Sequence, residues 1–345
     1  MVNVQQKTSQ VRLEEAVFSA GLDYLKKEGF NWIPSVPRIV RATGACENID
    51  TLFEVSVDKD RHWFGEENKK HCTYLAQTGQ LYLEALVPVM GGVYCLGPSF
   101  RAEPKIDSRH LIEFVMIEIE FPGDFKRLLE YIEGFVHQIA QTLASLPKFA
   151  QEAMGLTTAD VIRLGTCPPV FTKVTYDQAI NELQALGESI KWGDDIKSDQ
   201  EKMLVNYHGS QPLFITHYPD PNWDHGQEIE VEKFFNMLPD PANPGRVLSS
   251  DLILPFSGES VGSAARVHEH EVMVARLKNS RMFKRLEQKG GSLDDFAWYL
   301  GNIKDHGSVP HAGCGFGMAR IIQWAKGLDS ITDGLTFASN RGTVI

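Results

Sequence analysis

Paired cysteines are missing from this chain. Its five, Cys46, Cys72, Cys95, Cys167 and Cys314, are odd in number and scattered, with no C-x-x-C pair. That excludes a disulfide framework and a structural zinc site built on paired thiols. No apolar run approaches the roughly 20 residues of a membrane helix. Residues 1–10 are polar and lack the hydrophobic stretch of a signal peptide. A cytoplasmic protein without a membrane partner is therefore expected. Positive charge is also scarce, with 34 Lys and Arg against 45 Asp and Glu and a formal net charge of -11. No basic stripe is present to neutralise a phosphate backbone, which argues against strong duplex binding. Internal repeats, low-complexity tracts and flexible linkers are absent too. A single domain over residues 1–345 is expected, with residues 1–9 as a tail; 345 residues are ample for a buried core.

What is present is ordinary globular patterning. Residues 12–27 read as an amphipathic helix closed by Gly29. Residues 93–103 and 112–121 read as two strands of a hairpin. In the second strand Val115, Ile117, Ile119 and Phe121 share one face, while Phe114, Met116, Glu118 and Glu120 share the other. A strand with one greasy face and one carboxylate-bearing face lies over a core and under a site. In the first strand Arg101 and Glu103 stand two apart and are expected on one face. The connection over 104–111 is long for a hairpin turn and carries Lys105, Arg109 and His110. Residues 125–143 place Phe125, Leu128, Leu129, Ile132, Phe135, Val136, Ile139 and Leu143 at helical spacing, a core stripe. Residues 248–254 read as a strand and 268–288 as one helix. Residues 313–317 read as a glycine-rich turn into a helix over 318–326.

Three segments could carry chemistry. Arg101, Glu103 and Phe114 offer a planar cation, an acceptor for an amino group and an aromatic face, which suit phosphate and adenine; a surface ion pair over a core phenylalanine explains them equally. Gly313 to Gly317 followed by Arg320 permits close backbone approach, but lacks the Lys-Ser/Thr of a phosphate loop. Asp251 and Glu259 are oxygen ligands of the kind Mg2+ prefers, or else solvated strand ends. His268-Glu269-His270 is not an H-E-x-x-H motif, and its histidines diverge on a helix.

These segments occur in one order, and the order carries a resemblance. Phe100-Arg101-Ala102-Glu103 with Ser108-Arg109-His110 and Glu113-Phe114 is similar to motif 2 of the class II aminoacyl-tRNA synthetases, aspartyl/asparaginyl branch. The run from His306 through Pro310, His311 and Gly313 to Gly317-Met318-Ala319-Arg320 resembles motif 3. Residues 29–37 resemble a weak motif 1, and 74–84 the amino-acid-binding strand. The resemblance spans about residues 10–342. It implies an α+β fold, a mainly antiparallel sheet flanked by helices, and a homodimer through motif 1. It implies ATP and Mg2+, and an AMP-forming ligase. Arg101 and Arg320 would be catalytic. Arg101, Glu103, Arg109, His110, Phe114 and Arg320 would bind ATP, with Phe114 and Arg320 sandwiching the adenine. Glu47, Gln80, Glu118 and Arg266 would bind the amino acid, and Asp251 and Glu259 the metal.

Two positions bear on which amino acid. Leu83 stands where aspartyl enzymes carry a Lys, and Glu118 where they carry an Asp. A carboxamide can donate to Glu118 and accept from Arg266, so asparagine suits the pocket better than aspartate. The branch's anticodon-reading barrel is expected to be absent, because the core starts at about residue 10. Ala319 stands where Glu is usual, and the C-terminal pattern is altered to Thr332-Asp333-Gly334-Leu335 and Ala338-Ser339-Asn340-Arg341. These departures point first to activation of asparagine or aspartate with transfer to a non-tRNA acceptor, as in an asparagine synthetase or biosynthetic amide ligase. An asparagine-charging tRNA ligase cut to its core, or a non-catalytic regulator binding amino acid or tRNA, are the alternatives.

Overall fold

The computed structural model describes residues 7–45, 48–57, 63–66, 69–70 and 72–344. Its frame is one eight-stranded sheet. The strands are β1 (Asn31–Trp32), β2 (Val93–Phe100), β3 (Glu113–Pro122), β4 (Thr172–Thr175), β5 (Leu213–Thr216), β6 (Ser249–Leu254), β7 (Gly258–Arg266) and β8 (His311–Gly317). They lie in the order β1-β2-β3-β8-β7-β6-β5-β4. The six central strands pair antiparallel, while β1 on β2 and β4 on β5 are parallel at the two edges. This is the α+β antiparallel architecture the sequence implies.

Helix α1 (Thr8–Lys27) starts a turn earlier than its apolar spacing suggests. The reason is tertiary. Lys7 Nζ donates to the Leu335 carbonyl at 3.1 Å and Gln10 Nε2 to the Asp333 carbonyl at 2.8 Å, so distant backbone holds the first turn. The expected tail over 1–9 is thus too long at its inner end: Thr8 and Ser9 are helical.

Alternation in β3 decides the layers. Ile117, Ile119 and Phe121 are buried beneath α2 (Phe125–Ser145), whose stripe of Leu128, Ile132, Phe135, Val136 and Ile139 packs on them with Leu13, Val17 and Leu25 of α1. Each such side chain, fully buried, contributes about 1.5–3 kcal/mol. Asp124 caps α2 by accepting the Arg127 amide at 2.8 Å. A second core lies apart from the first and includes Leu213, Ile253 and Ala264 of the sheet. On it pack Met273 and Leu277 of a helix His270–Asn279, Phe283 and Leu286 of a helix Arg281–Gln288, and Tyr299 of a helix Ala297–His306. The single helix expected over 268–288 is therefore two. Ser280 breaks it, its hydroxyl accepting the Phe283 amide at 3.1 Å as a new N-cap.

The glycines after His311 also differ from expectation, since they form strand β8 rather than a turn. Gly313 pairs with Glu120 across the ladder, and a Cβ at Gly313 would stand 2.1 Å from the Glu120 carboxyl carbon. Glycine there makes room for a buried carboxylate on the neighbouring strand.

Candidate active site

The face of β3 that carries Phe114, Met116, Glu118 and Glu120 opens onto a cavity also walled by β6, β7 and β8. Arg101, Glu103, Arg109, His110, Phe114, Gln80, Glu118, Arg266, Asp251, Glu259 and Arg320 all line it. Glu47, the remaining candidate, falls outside the described residues, as does Cys46. The other four cysteines are free thiols.

One end of the cavity is built on a loop. Arg101 lies just past β2, its amide donating to the Ile112 carbonyl at 2.9 Å, and its guanidinium carbon is 5.5 Å from the centre of the Phe114 ring. Arg101 and Glu103 do not alternate as strand residues. The Glu103 amide donates to the Arg101 carbonyl at 2.7 Å, a tight turn that leaves strand geometry. At the loop tip the Asp107 carboxylate accepts the amides of Arg109 (2.8 Å) and His110 (3.0 Å) and meets His110 Nδ1 at 2.7 Å. Partial burial pushes Asp107 upward, but these hydrogen bonds and His110 outweigh it and hold the carboxyl below its ordinary range. Arg109 Nη2 donates to Glu201 at 2.8 Å, a buried carboxylate on a helix Ser198–Tyr207. Gly258, at φ +72°, turns the chain from β6 to β7 beneath this pair, where a Cβ would stand 2.2 Å from Arg109 Nη2.

Arg320 projects from the first turn of a helix Met318–Lys326 and donates to the Glu259 carbonyl. Burial pushes Glu259 upward, but Arg320, Lys233, Arg101 and Arg109 together hold its carboxyl below the ordinary value. Its neighbour Asp251 behaves oppositely. Burial and the Glu259 charge raise it to about 6, although Lys233 Nζ stands 2.8 Å away. An atom at the Cβ position of Gly262 would lie 3.6 Å from Glu259 Oε1 and 3.9 Å from Asp251 Oδ1. Two carboxylates thus flank one small open space, a donor set that fits a hard divalent cation.

The other end is buried. Glu118 accepts from the Thr78 hydroxyl and from the Gly79 amide (2.8 Å), with Arg38 at 3.9 Å. Arg266, on β7, donates to Glu120 at 2.7 Å and to the Gly313 carbonyl at 3.1 Å. Gln80 is not on a strand: pairing in that segment stops at Leu75, and Gln80 opens a short helix Gln80–Glu84. The Thr78 hydroxyl accepts the Gln80 amide at 3.0 Å and turns the chain. Leu83, read as a pocket residue, instead packs fully buried with Val87, Val93 and Cys95 and does not line the cavity.

Sequence reasoning missed Lys233, Glu201 and Glu84. The first two lie in irregular or weakly patterned stretches with no motif. Glu84 lay within a motif-like stretch, but its partners come from distant elements.

Three comparisons fit this geometry. A family model described as tRNA synthetases class II (D, K and N) matches residues 2–341. The chain belongs to that family. Asparagine–tRNA ligase of Desulforamulus reducens is 32% identical over 329 residues, covering 95% of this chain and 68% of that protein. Asparagine–tRNA ligase of Pelotomaculum thermopropionicum is 34% identical over 295 residues, 85% of this chain and 60% of that one. Among solved structures, asparaginyl-tRNA synthetase of Pyrococcus horikoshii complexed with asparaginyl-adenylate superposes with a TM-score of 0.80 at 29% identity, covering 99% of this chain and 70% of that chain. This class II synthetase chain therefore spans between 60% and 70% of the length of these relatives. No described helix is long and apolar enough to cross a membrane.

Proposed function

We propose that this class II synthetase core is an AMP-forming ligase that activates asparagine with ATP as asparaginyl-adenylate and passes the acyl group to tRNA. The observation that carries the reading is the polarity of one cavity: cations and an aromatic ring at the loop end, a neutralised carboxylate floor at the other. The relatives, named as asparagine–tRNA ligases, favour tRNA over the small amine expected from the sequence alone.

At the loop end, Phe114 and Arg320 would sandwich adenine and Glu103 would accept from its amino group. Arg101 would hold the α-phosphate, with Arg109 and His110 on the outer phosphates. Arg109 must then exchange Glu201 for phosphate. At the floor, Gln80, Glu118 and Arg266 would hold the amino acid. Because Arg266 is already neutralised by Glu120, a neutral carboxamide costs less to bury there than a second carboxylate. Glu47 keeps the amino-acid-binding role that the resemblance implies.

The substrate carboxylate attacks the α-phosphorus in line. An oxygen–phosphorus bond forms and the bond to pyrophosphate breaks. Positioning and charge neutralisation by Arg101 and Arg320 lower the barrier without a covalent nucleophile. Asp251 and Glu259 would hold Mg2+, which supplies further neutralisation of phosphate charge. A homodimer is part of the proposal. Trp32 on edge strand β1 and the adjoining Val89 and Met90 are exposed, and Asn31 Nδ2 ties the two segments by donating to the Met90 carbonyl at 3.0 Å.

The test is ATP–pyrophosphate exchange with asparagine or aspartate, followed by charging of tRNA. Exchange with asparagine and acylated tRNA are expected. Exchange with aspartate alone would overturn the substrate, and exchange without acylation would restore a non-tRNA acceptor.

A further inference from the structure

Gln80 and Arg266 line the cavity, but the residue that joins them does not. Glu84, at the end of the short helix, is 3% exposed and lies behind the cavity wall. Its Oε1 accepts from Gln80 Nε2 at 2.8 Å and from Asn236 Nδ2 at 2.6 Å. Its Oε2 accepts from the Tyr299 hydroxyl at 2.6 Å and from His311 Nε2 at 3.3 Å. Arg266 Nε stands 3.9 Å from Oε1. One carboxylate thus gathers donors from its own helix, from the segment before β6, from the helix Ala297–His306 and from β8.

The consequence lies in the chemistry of the amide. An ionised carboxylate only accepts. It therefore turns the amino groups of both amides, Gln80 and Asn236, toward itself. Asn236 Oδ1 is then left to accept from Gln80 Nε2, at 3.2 Å. With Nε2 held twice, Gln80 Oε1 receives no hydrogen bond from the described residues. Burial pushes Glu84 upward, but the hydrogen bond and charge of His311, the charge of Arg266 and the Tyr299 hydroxyl hold its carboxyl below the ordinary value.

We infer that Glu84 is a positioning residue that locks the Gln80 amide with its oxygen toward the substrate, so that the cavity selects a ligand offering a donor there, the α-ammonium of an amino acid. This rests on the proposed amino-acid site. A glutamine at position 84 can donate as well as accept, so Gln80 would be free to flip and present its amino group, which repels an ammonium.

The test compares the full chain with Glu84→Gln. Pyrophosphate exchange gives KM for asparagine and for ATP. Calorimetry gives Kd for asparagine and for succinamic acid, which is asparagine without its amino group. A tenfold or greater rise in asparagine KM is expected, with ATP KM within twofold. The preference for asparagine over succinamic acid should fall by about the same factor, and E84Q should add nothing on top of Gln80→Ala. Equal weakening of both ligands, or additive effects of the two substitutions, would reduce Glu84 to a structural role and overturn the inference. An unchanged KM does the same. Should E84Q not fold, a crystal structure of the parent chain with asparagine decides. The Gln80 oxygen within about 3 Å of the ammonium supports the inference, and any other arrangement overturns it. A parent chain that neither exchanges nor binds asparagine sinks the proposed function, and this inference falls with it.

Discussion

At the loop end of the cavity, His110 and Arg109 each rest on a single carboxylate that substrate can replace. His110 rests on Asp107, and both are partly exposed. Arg109 rests on Glu201. At the floor, Glu84 alone has four hydrogen-bond donors and Arg266 is pinned between Glu120 and a backbone carbonyl. The side chains of Glu84, Glu120, Arg266 and His311 are 2–4% exposed. The difference teaches how the proposed site would divide two tasks. A long, flexible, highly charged ligand such as ATP needs cations that can change partners. Distinguishing a carboxamide from a carboxylate needs groups whose orientation is settled before the ligand arrives.

That division predicts different failures. The largest effect belongs to Arg101→Ala or Arg320→Ala, which should lower kcat of pyrophosphate exchange by about 10²–10³. Melting temperature should move less than for a floor residue, because both side chains line the cavity and are only half-buried. A variant that unfolded instead would erase the contrast between the ends.

Arg266→Met should show the reverse pattern. Removing one partner of a buried pair costs about 3–5 kcal/mol, since Glu120 is left buried without its cation. Chemical denaturation should register that loss, and asparagine binding should vanish with it. The same change at Arg109 should cost less stability, because Glu201 keeps the Glu259 amide at 3.3 Å, and should act on ATP affinity. Equal destabilisation by the two would contradict the reading of Glu201 as an exchangeable partner.

How far this was legible beforehand depends on the range of the contacts. The alternation in β3 announced both its core face and its carboxylate face, and the α2 stripe was plain, because each pattern is local and periodic. Arg101, Arg109, Phe114 and Arg320 were legible because their motifs keep order along the chain. Lys233 and Glu201 were not. Their roles exist only because an irregular segment brings Lys233 to Asp251 and the helix Ser198–Tyr207 brings Glu201 to Arg109, partners 18 and 92 residues away in sequence. The turn at Gln80 escaped for another reason, since a threonine hydroxyl outweighed strand pairing there.

Proton linkage gives a finer comparison. Asp251 rises from an ordinary 3.8 to about 6 in the fold. The native state therefore holds this proton more tightly than the unfolded chain. The contribution is full below pH about 4 and is lost as pH rises through about 6. Thermal melts of Asp251→Asn and the parent, taken from pH 4 to 7 without metal, should converge at the acid end and separate in favour of the variant above pH 6. Parallel curves would mean that Lys233 already keeps Asp251 ionised throughout. The floor glutamate Glu84 has the opposite sign: its contribution is present above its ordinary 4.5 and is lost as pH falls below it, so Glu84→Gln should lose stability relative to the parent as pH rises toward 4.5 and stay lower above it.

The smallest effect is expected at Leu83, and it separates two explanations of specificity. If the residue read asparagine, changing its shape would change the choice between asparagine and aspartate. Its side chain instead packs with Val87, Val93 and Cys95, away from the cavity. Leu83→Met conserves volume and should cost less than about 1.5 kcal/mol. The ratio of kcat/KM for asparagine over aspartate should stay within twofold of the parent. A larger shift would mean that the helix Gln80–Glu84 transmits small changes in packing to Gln80, and the floor would be less rigid than its hydrogen bonds imply.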